Sequence, residues 1–172
     1  MANKIEIRGA EIKRKNFEGR EKRNPKNGKV VNSEGNRNFL LVIPDDMVDE
    51  LVEEGYNIRQ FREDEATGEP GDYYLPVKVG FAYKPPTIWL ITYKKSGKTR
   101  TRLDENDVKC LDSFTKDMTR DVKLVVRPVY GTNDDGSTKI TAYLELLYYE
   151  IDSSDPFADD YNWDDDTVPF DE

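Results

Sequence analysis

Short segments in which apolar and polar residues alternate recur along the first 151 residues, and turn-forming residues separate them. Alternation with a period of two places the apolar side chains on one face of a β-strand. The clearest such segments are 37–43, 73–81 and 137–151. Helical spacing is confined to segment 44–55 and to a short turn that begins at Asp104. The sequence therefore predicts a mainly β fold.

Many short strands with one or two short helices are typical of a small barrel or sandwich. We predict an OB-like five-stranded barrel with extra hairpins over residues 1–151, a suitable size for one domain. The hairpins are expected at 87–103 and 121–151, where Gly lies between the strand segments. Segment 14–35 is polar and basic, with Pro25 inside it, and is predicted to be a long loop.

The composition changes sharply after Ile151. Residues 152–172 contain nine acidic residues and no Lys or Arg. A segment of this kind cannot bury enough apolar surface to offset the entropy of ordering, so we predict a disordered acidic tail that contacts other proteins.

Charge is sorted within the body as well. Of the 35 acidic residues in the chain, 35 − 9 = 26 lie in the body, where they balance the 26 basic residues. Residues 1–38 contain eleven basic and five acidic residues, 84–102 contain six basic and no acidic residues, and 45–72 contain eleven acidic and two basic residues. Locally positive surface is therefore expected although the net charge is −9, and binding to nucleic acid stays open.

The chain has one cysteine, Cys110, and no histidine. It can form no internal disulfide, no Cys/His zinc site and no nucleophile activated by histidine. We predict no catalytic residue, metal ligand or cofactor. The longest apolar run, 39–43, is too short to cross a bilayer and the N-terminus has no signal segment, so we expect a cytoplasmic protein without a membrane partner.

Binding of single-stranded DNA requires cations along the backbone path and flat rings on which bases stack. The hairpin 87–103 supplies both. Trp89 and Tyr93 alternate on one face, and five cations gather at the tip and on the return strand: Lys94, Lys95, Lys98, Arg100 and Arg102. Trp89 either stacks on bases or fills the core, and the sequence supports both interpretations.

Two further groups of residues are candidates for DNA binding. The basic arm contributes Lys13, Arg14, Lys15, Arg20 and Arg23, and the long hairpin contributes Lys123, Arg127, Tyr143 and Tyr149. The alternatives are a solvated charged loop for the arm and cross-strand packing for the hairpin.

The tail ends in an acidic cluster followed by apolar anchors, the composition of a short linear binding peptide. The residues involved are Asp164, Asp165, Asp166, Val168, Pro169 and Phe170. This tip resembles that of bacterial single-stranded-DNA-binding proteins, which ends Asp-Asp-Asp-Ile-Pro-Phe. Here Thr167-Val168 replaces the single Ile, and Asp171 and Glu172 follow the Phe.

With this tail and strand pattern, the chain resembles the OB-fold single-stranded-DNA-binding proteins of bacteriophages. The resemblance implies a non-enzymatic protein of the bacterial host cytoplasm that binds and protects single-stranded DNA in replication or recombination. It also implies that the tail recruits replication and recombination proteins and that the body can pair as a homodimer. There are two alternatives. One is an acidic protein that mimics nucleic acid, and the other is a metal-dependent nuclease that uses Asp45, Asp46, Asp104 and Asp107.

Overall fold

A computed structural model describes residues 2–94 and 97–152 and the backbone of residues 168–169. This part of the chain contains one α-helix, α1 (Asp45–Glu54), and two short 3₁₀ helices, Val108–Ser113 and Lys116–Met118. Its strands are β1 (Ile5–Ile7), β2 (Ile12–Asn16), β3 (Lys22–Arg23), β4 (Val30–Asn32), β5 (Arg37–Ile43), β6 (Arg59–Gln60), β7 (Tyr73–Val79), β8 (Thr87–Lys94), β9 (Gly97–Leu103), β10 (Thr119–Thr132), β11 (Thr138–Asp152) and β12 (Val168–Pro169).

Strand β11 organises the main sheet. It pairs antiparallel with β10 along nearly its whole length, and on its other side it pairs in parallel with β7 and then with β8. The sheet order is β12-β9-β8-β11-β7-β5-β2, with β10 and β1 beside β11 and β6 beside β7. The predicted mainly β, OB-like fold is confirmed. Instead of a closed barrel, the strands of the described residues form an open mixed sheet.

A β-bulge divides β11 into two halves. Val126 lies opposite Leu144 and Val125 opposite Leu146, so Glu145 is an extra residue that shifts the alternation. Leu144 faces the core before the bulge, and Leu147 and Tyr149 face it afterwards. Uninterrupted alternation would put Leu146 and Tyr148 on the face of Leu144, and the bulge instead turns both to the opposite face.

Helix α1 closes one side of the core. Val48 and Leu51 are buried, and Gly55 ends the helix in the left-handed conformation with φ of 103°. Tyr56 follows directly and donates its hydroxyl hydrogen to the carbonyl of Asn3. Burial, with smaller contributions from Glu54 and Tyr130, raises the pKa of Tyr56 to about 12. The helix predicted at this position is confirmed.

The basic segment 14–35 has structure of its own. Strands β3 and β4 pair antiparallel and form a two-stranded ribbon, in which Val30 and Val31 are exposed. The side chain of Asn16 at the base of the ribbon is buried and bonds to the carbonyl and amide of Arg20. Among the described residues, no helix is long and apolar enough to span a membrane.

Candidate nucleic-acid interface

The hairpin of β8 and β9 sets the geometry of the candidate interface. Its strands pair antiparallel up to Lys94 and Gly97, and Gly97 has φ of 135°, a conformation that favours glycine. Ile88 is fully buried on the core side, whereas Trp89 is partly exposed on the opposite side. The structure therefore places Trp89 on the outer side of the sheet.

Aromatic and cationic side chains meet on the outer side of four neighbouring strands. Trp89 lies opposite Arg102 on β9 and opposite Tyr148 on β11, and Tyr148 lies opposite Lys123 on β10. Tyr93 lies opposite Lys98. We call this surface the outer face and define it by Trp89, Tyr93, Lys98, Arg100, Arg102, Arg120, Lys123 and Tyr148.

Cations lie directly against the rings of the outer face. The guanidinium of Arg100 is 4.5 Å from the ring centroid of Trp89, and that of Arg102 is 5.7 Å away. The ring of Tyr93 has the guanidinium of Arg120 at 3.9 Å and the ammonium of Lys98 at 5.5 Å. This arrangement combines positive charge with flat rings, as binding of single-stranded nucleic acid requires.

One carboxylate is buried within the outer face. Glu150 accepts a hydrogen bond of 2.6 Å from the hydroxyl of Tyr93 and pairs with the ammonium of Lys123 at 3.3 Å. The hydrogen bond to Glu150, followed by burial, raises the pKa of Tyr93 above its ordinary value. Tyr93 is therefore neutral at physiological pH, and the ammonium of Lys123 balances the charge of Glu150.

A basic cavity of about 590 Å³ adjoins the outer face. Lys13, Arg14, Lys116 and Arg120 line it together with Glu11 and Asp121, and Arg120 also covers the ring of Tyr93. The ammonium of Lys13 lies 3.6 Å from Glu11 and 3.8 Å from Asp72. Arg14 has a positive φ of 52°, at an irregularity in the pairing of β2 with β5. The start of the basic arm thus shares a cavity with Arg120, which contacts the hairpin residue Tyr93.

Two predicted interface residues, Tyr149 and Lys15, are held by contacts with the core side of the fold. Tyr149 is 2% exposed, because the bulge turns it towards the core. The ammonium of Lys15 donates to the carbonyls of Leu111 and Phe114 and to the hydroxyl of Tyr149, at 2.6 to 2.8 Å. An ammonium has three donors, so Lys15 has none left for a phosphate. This geometry gives both residues a structural role.

The remaining predicted cations lie in several places. Arg20 pairs with Glu18 and Arg23 with Glu21 on the ribbon. Arg127 lies 5.4 Å from the ring of Tyr143, away from the hairpin. Lys94 ends β8. Lys95 lies outside the described residues.

The tip of the tail reaches the hairpin through its backbone. Strand β12 pairs antiparallel with β9, with Val168 opposite Arg100 and Pro169 opposite Thr99. Strand β12 thereby occupies the free edge of β9. The other predicted tail residues, Asp164 to Asp166 and Phe170, lie outside the described residues.

Comparison with known proteins identifies the family. A family model described as "Putative phage ssDNA-binding domain" matches residues 1–165. The chain belongs to this family. No curated protein matches it.

Solved structures similar to this phage ssDNA-binding domain come from bacteriophage Enc34. The single-stranded DNA-binding protein of that phage has 15% identity and a TM-score of 0.50, over 92% of this chain and 90% of that chain. The same protein in complex with ssDNA has 13% identity and a TM-score of 0.46, over 90% and 89%. Its C-terminal truncation has 15% identity and a TM-score of 0.46, over 88% and 87%. The first likeness supports the fold.

The phage ssDNA-binding domain has two outer-face residues that sequence reasoning missed. Tyr148 was not among the candidates, because a bulge at Glu145 leaves no signal in the alternation of β11. Arg120 is a single cation just after a 3₁₀ helix, and no motif marks it. Its contact with Tyr93 arises from strand pairing that is distant in sequence.

Proposed function

We propose that this phage ssDNA-binding domain binds single-stranded DNA without sequence preference and protects it during DNA replication or recombination. It does so without catalysis, in the cytoplasm of the bacterial host. The observation that carries the proposal is the outer face, where Trp89 and Tyr148 lie among cations on paired strands. Family membership supports the same function.

The chemistry of the outer face explains why sequence would not matter. Bases stack on Trp89 and Tyr148 through ring faces that every base has. Arg100 and Arg102 neutralise phosphates and release counterions, which gives affinity but no sequence information. A homodimer, as the family resemblance implies, would present two such faces.

We further propose that the acidic tail competes with DNA for the outer face and recruits replication or recombination proteins through Val168, Pro169 and Phe170. The pairing of β12 with β9 supports this idea, because it holds the tail tip beside Arg100. Three aspartates directly precede Val168. A tethered anion has a high effective concentration at a nearby cationic surface, and salt weakens its attraction.

Deleting residues 153–172 tests both proposals together. This variant keeps Asp152 and its 2.9 Å ion pair with Arg120. We expect the full chain to bind labelled oligo-dT more tightly than the matching duplex, and the shortened chain to bind oligo-dT at least several-fold more tightly at low salt. Fluorescence anisotropy measures the affinities, and circular dichroism checks the fold.

The outcomes separate the two proposals. If neither chain binds oligo-dT, the proposed function is wrong. If both bind equally at low salt, the tail does not compete with DNA. A gain from the deletion that persists unchanged at high salt would also contradict competition by charge.

A further inference from the structure

A second group of aromatic and cationic residues lies beyond the hairpin. The loop between β7 and β8 places Tyr83 and Lys84 beside Arg127, Val129 and Tyr143, around a cavity of about 400 Å³. This volume is at the small end of the roughly 300–1,000 Å³ typical of small-molecule sites. Among the described residues, no carboxylate lines the cavity.

The cavity lies on the same side of the sheet as the outer face. Tyr143 lies opposite Arg127 and next to the buried Leu144, so its ring is on the same side of β11 as Tyr148. The two tyrosines are five positions apart, about 16 Å at strand spacing. On β8, Tyr93 lies four residues beyond Trp89, which adds about 13 Å. The aromatic rings therefore form a track along one side of the sheet.

The exposure of the Tyr83 side chain makes its ring available to a ligand. Its side chain is 97% exposed, although a tyrosine ring is normally at least partly buried. Pro85 and Pro86 follow directly and restrict the backbone of the loop. The guanidinium of Arg127 lies 5.4 Å from the ring centroid of Tyr143. Gly80 lies so close to this ring that a Cβ added to the glycine would be 3.1 Å from a ring carbon of Tyr143. The loop thus passes close to Tyr143 and presents Tyr83 beside it.

We propose that Tyr83 and Tyr143 form a nucleobase-stacking subsite at one end of this track, where Arg127 and Lys84 hold the adjacent phosphate. The occupant is a base of the same DNA strand that lies on Trp89. The apolar wall of Val129 and the two rings suit a base, and the two cations suit its backbone. This inference rests on the proposed function and extends the DNA path beyond the hairpin.

The test is a length series of labelled oligo-dT with the full-length chain carrying Tyr83→Leu. The short oligonucleotide has about five nucleotides and cannot cover both ends of the track. The long one has about twenty nucleotides and extends beyond the track. We expect Tyr83→Leu to weaken binding of the long oligonucleotide by about 5- to 150-fold, which is the usual loss for one stacked base. The affinity for the short oligonucleotide should stay nearly unchanged. Tyr143→Leu should give the same pattern.

The matched control is Tyr130→Leu. The side chain of Tyr130 is also exposed, at 44%. Its hydroxyl accepts a hydrogen bond from the amide of Ala2, and its ring is not part of the track. Unchanged binding of the long oligonucleotide by Tyr83→Leu overturns the subsite, and so does an equal loss for both lengths. If the wild-type chain binds neither oligonucleotide, the proposed function itself fails, and that result is distinct from failure of the subsite.

Discussion

Replacing Trp89 by Leu should weaken oligo-dT binding by about 5- to 150-fold, the loss expected for one stacked base. Leu keeps an apolar side chain on β8, so the strand pairing with β9 and β11 is preserved. It lacks the flat ring that Arg100 and Arg102 flank at 4.5 and 5.7 Å. Anisotropy titration measures the affinity, and thermal unfolding checks that the variant is folded.

The control for this variant is Tyr130→Leu, which removes an exposed ring outside the outer face. Its affinity should equal that of the wild type. If Trp89→Leu binds oligo-dT as the wild type does, Trp89 contributes only to the scaffold, and the outer face is not where bases stack.

Replacing both Arg100 and Arg102 by Gln should reduce the salt dependence of binding. For single strands the logarithm of affinity falls by about 0.7 per phosphate contact for each tenfold rise in salt. Loss of two contacts should therefore make the slope shallower by about 1.4 and weaken binding about 25-fold near 0.1 M salt. Because the tail tip pairs with β9 beside Arg100, the measurement is made on the chain shortened after Asp152.

The matched control is the pair Arg20→Gln and Arg23→Gln. Arg23 lies on the ribbon and Arg20 just before it, and Glu21 and Glu18 pair with them at 2.6 and 3.4 Å. We expect a much smaller change in slope. If the two double variants change the slope equally, phosphate contacts are not concentrated on the hairpin.

The sequence predicted elements that local rules determine. Alternation and the glycine at position 97 indicated the hairpin of β8 and β9, and the spacing between Pro44 and Gly55 indicated α1. The acidic tip and the strand pattern indicated the family, which the family model confirms. These features depend on residues that are close in sequence.

Features that depend on distant pairing were not predictable. The bulge at Glu145 turns Tyr149 towards the core and Tyr148 towards the outer face. Alternation in a single sequence cannot show where the register shifts. The hydrogen bonds that hold the ammonium of Lys15 go to carbonyls nearly a hundred residues away. The parallel pairing of β11 with both β7 and β8 likewise joins segments without any shared local signal.

The most direct test of the outer face is the fluorescence of Trp89 itself. The chain has two tryptophans, and Trp163→Phe leaves Trp89 as the only one, which is excited selectively at wavelengths that tyrosine does not absorb. Titration with oligo-dT should change the emission of Trp89, and the change should saturate at the same DNA concentration as the anisotropy of the labelled strand. An anisotropy signal that shows binding while the emission of Trp89 stays constant would contradict the account.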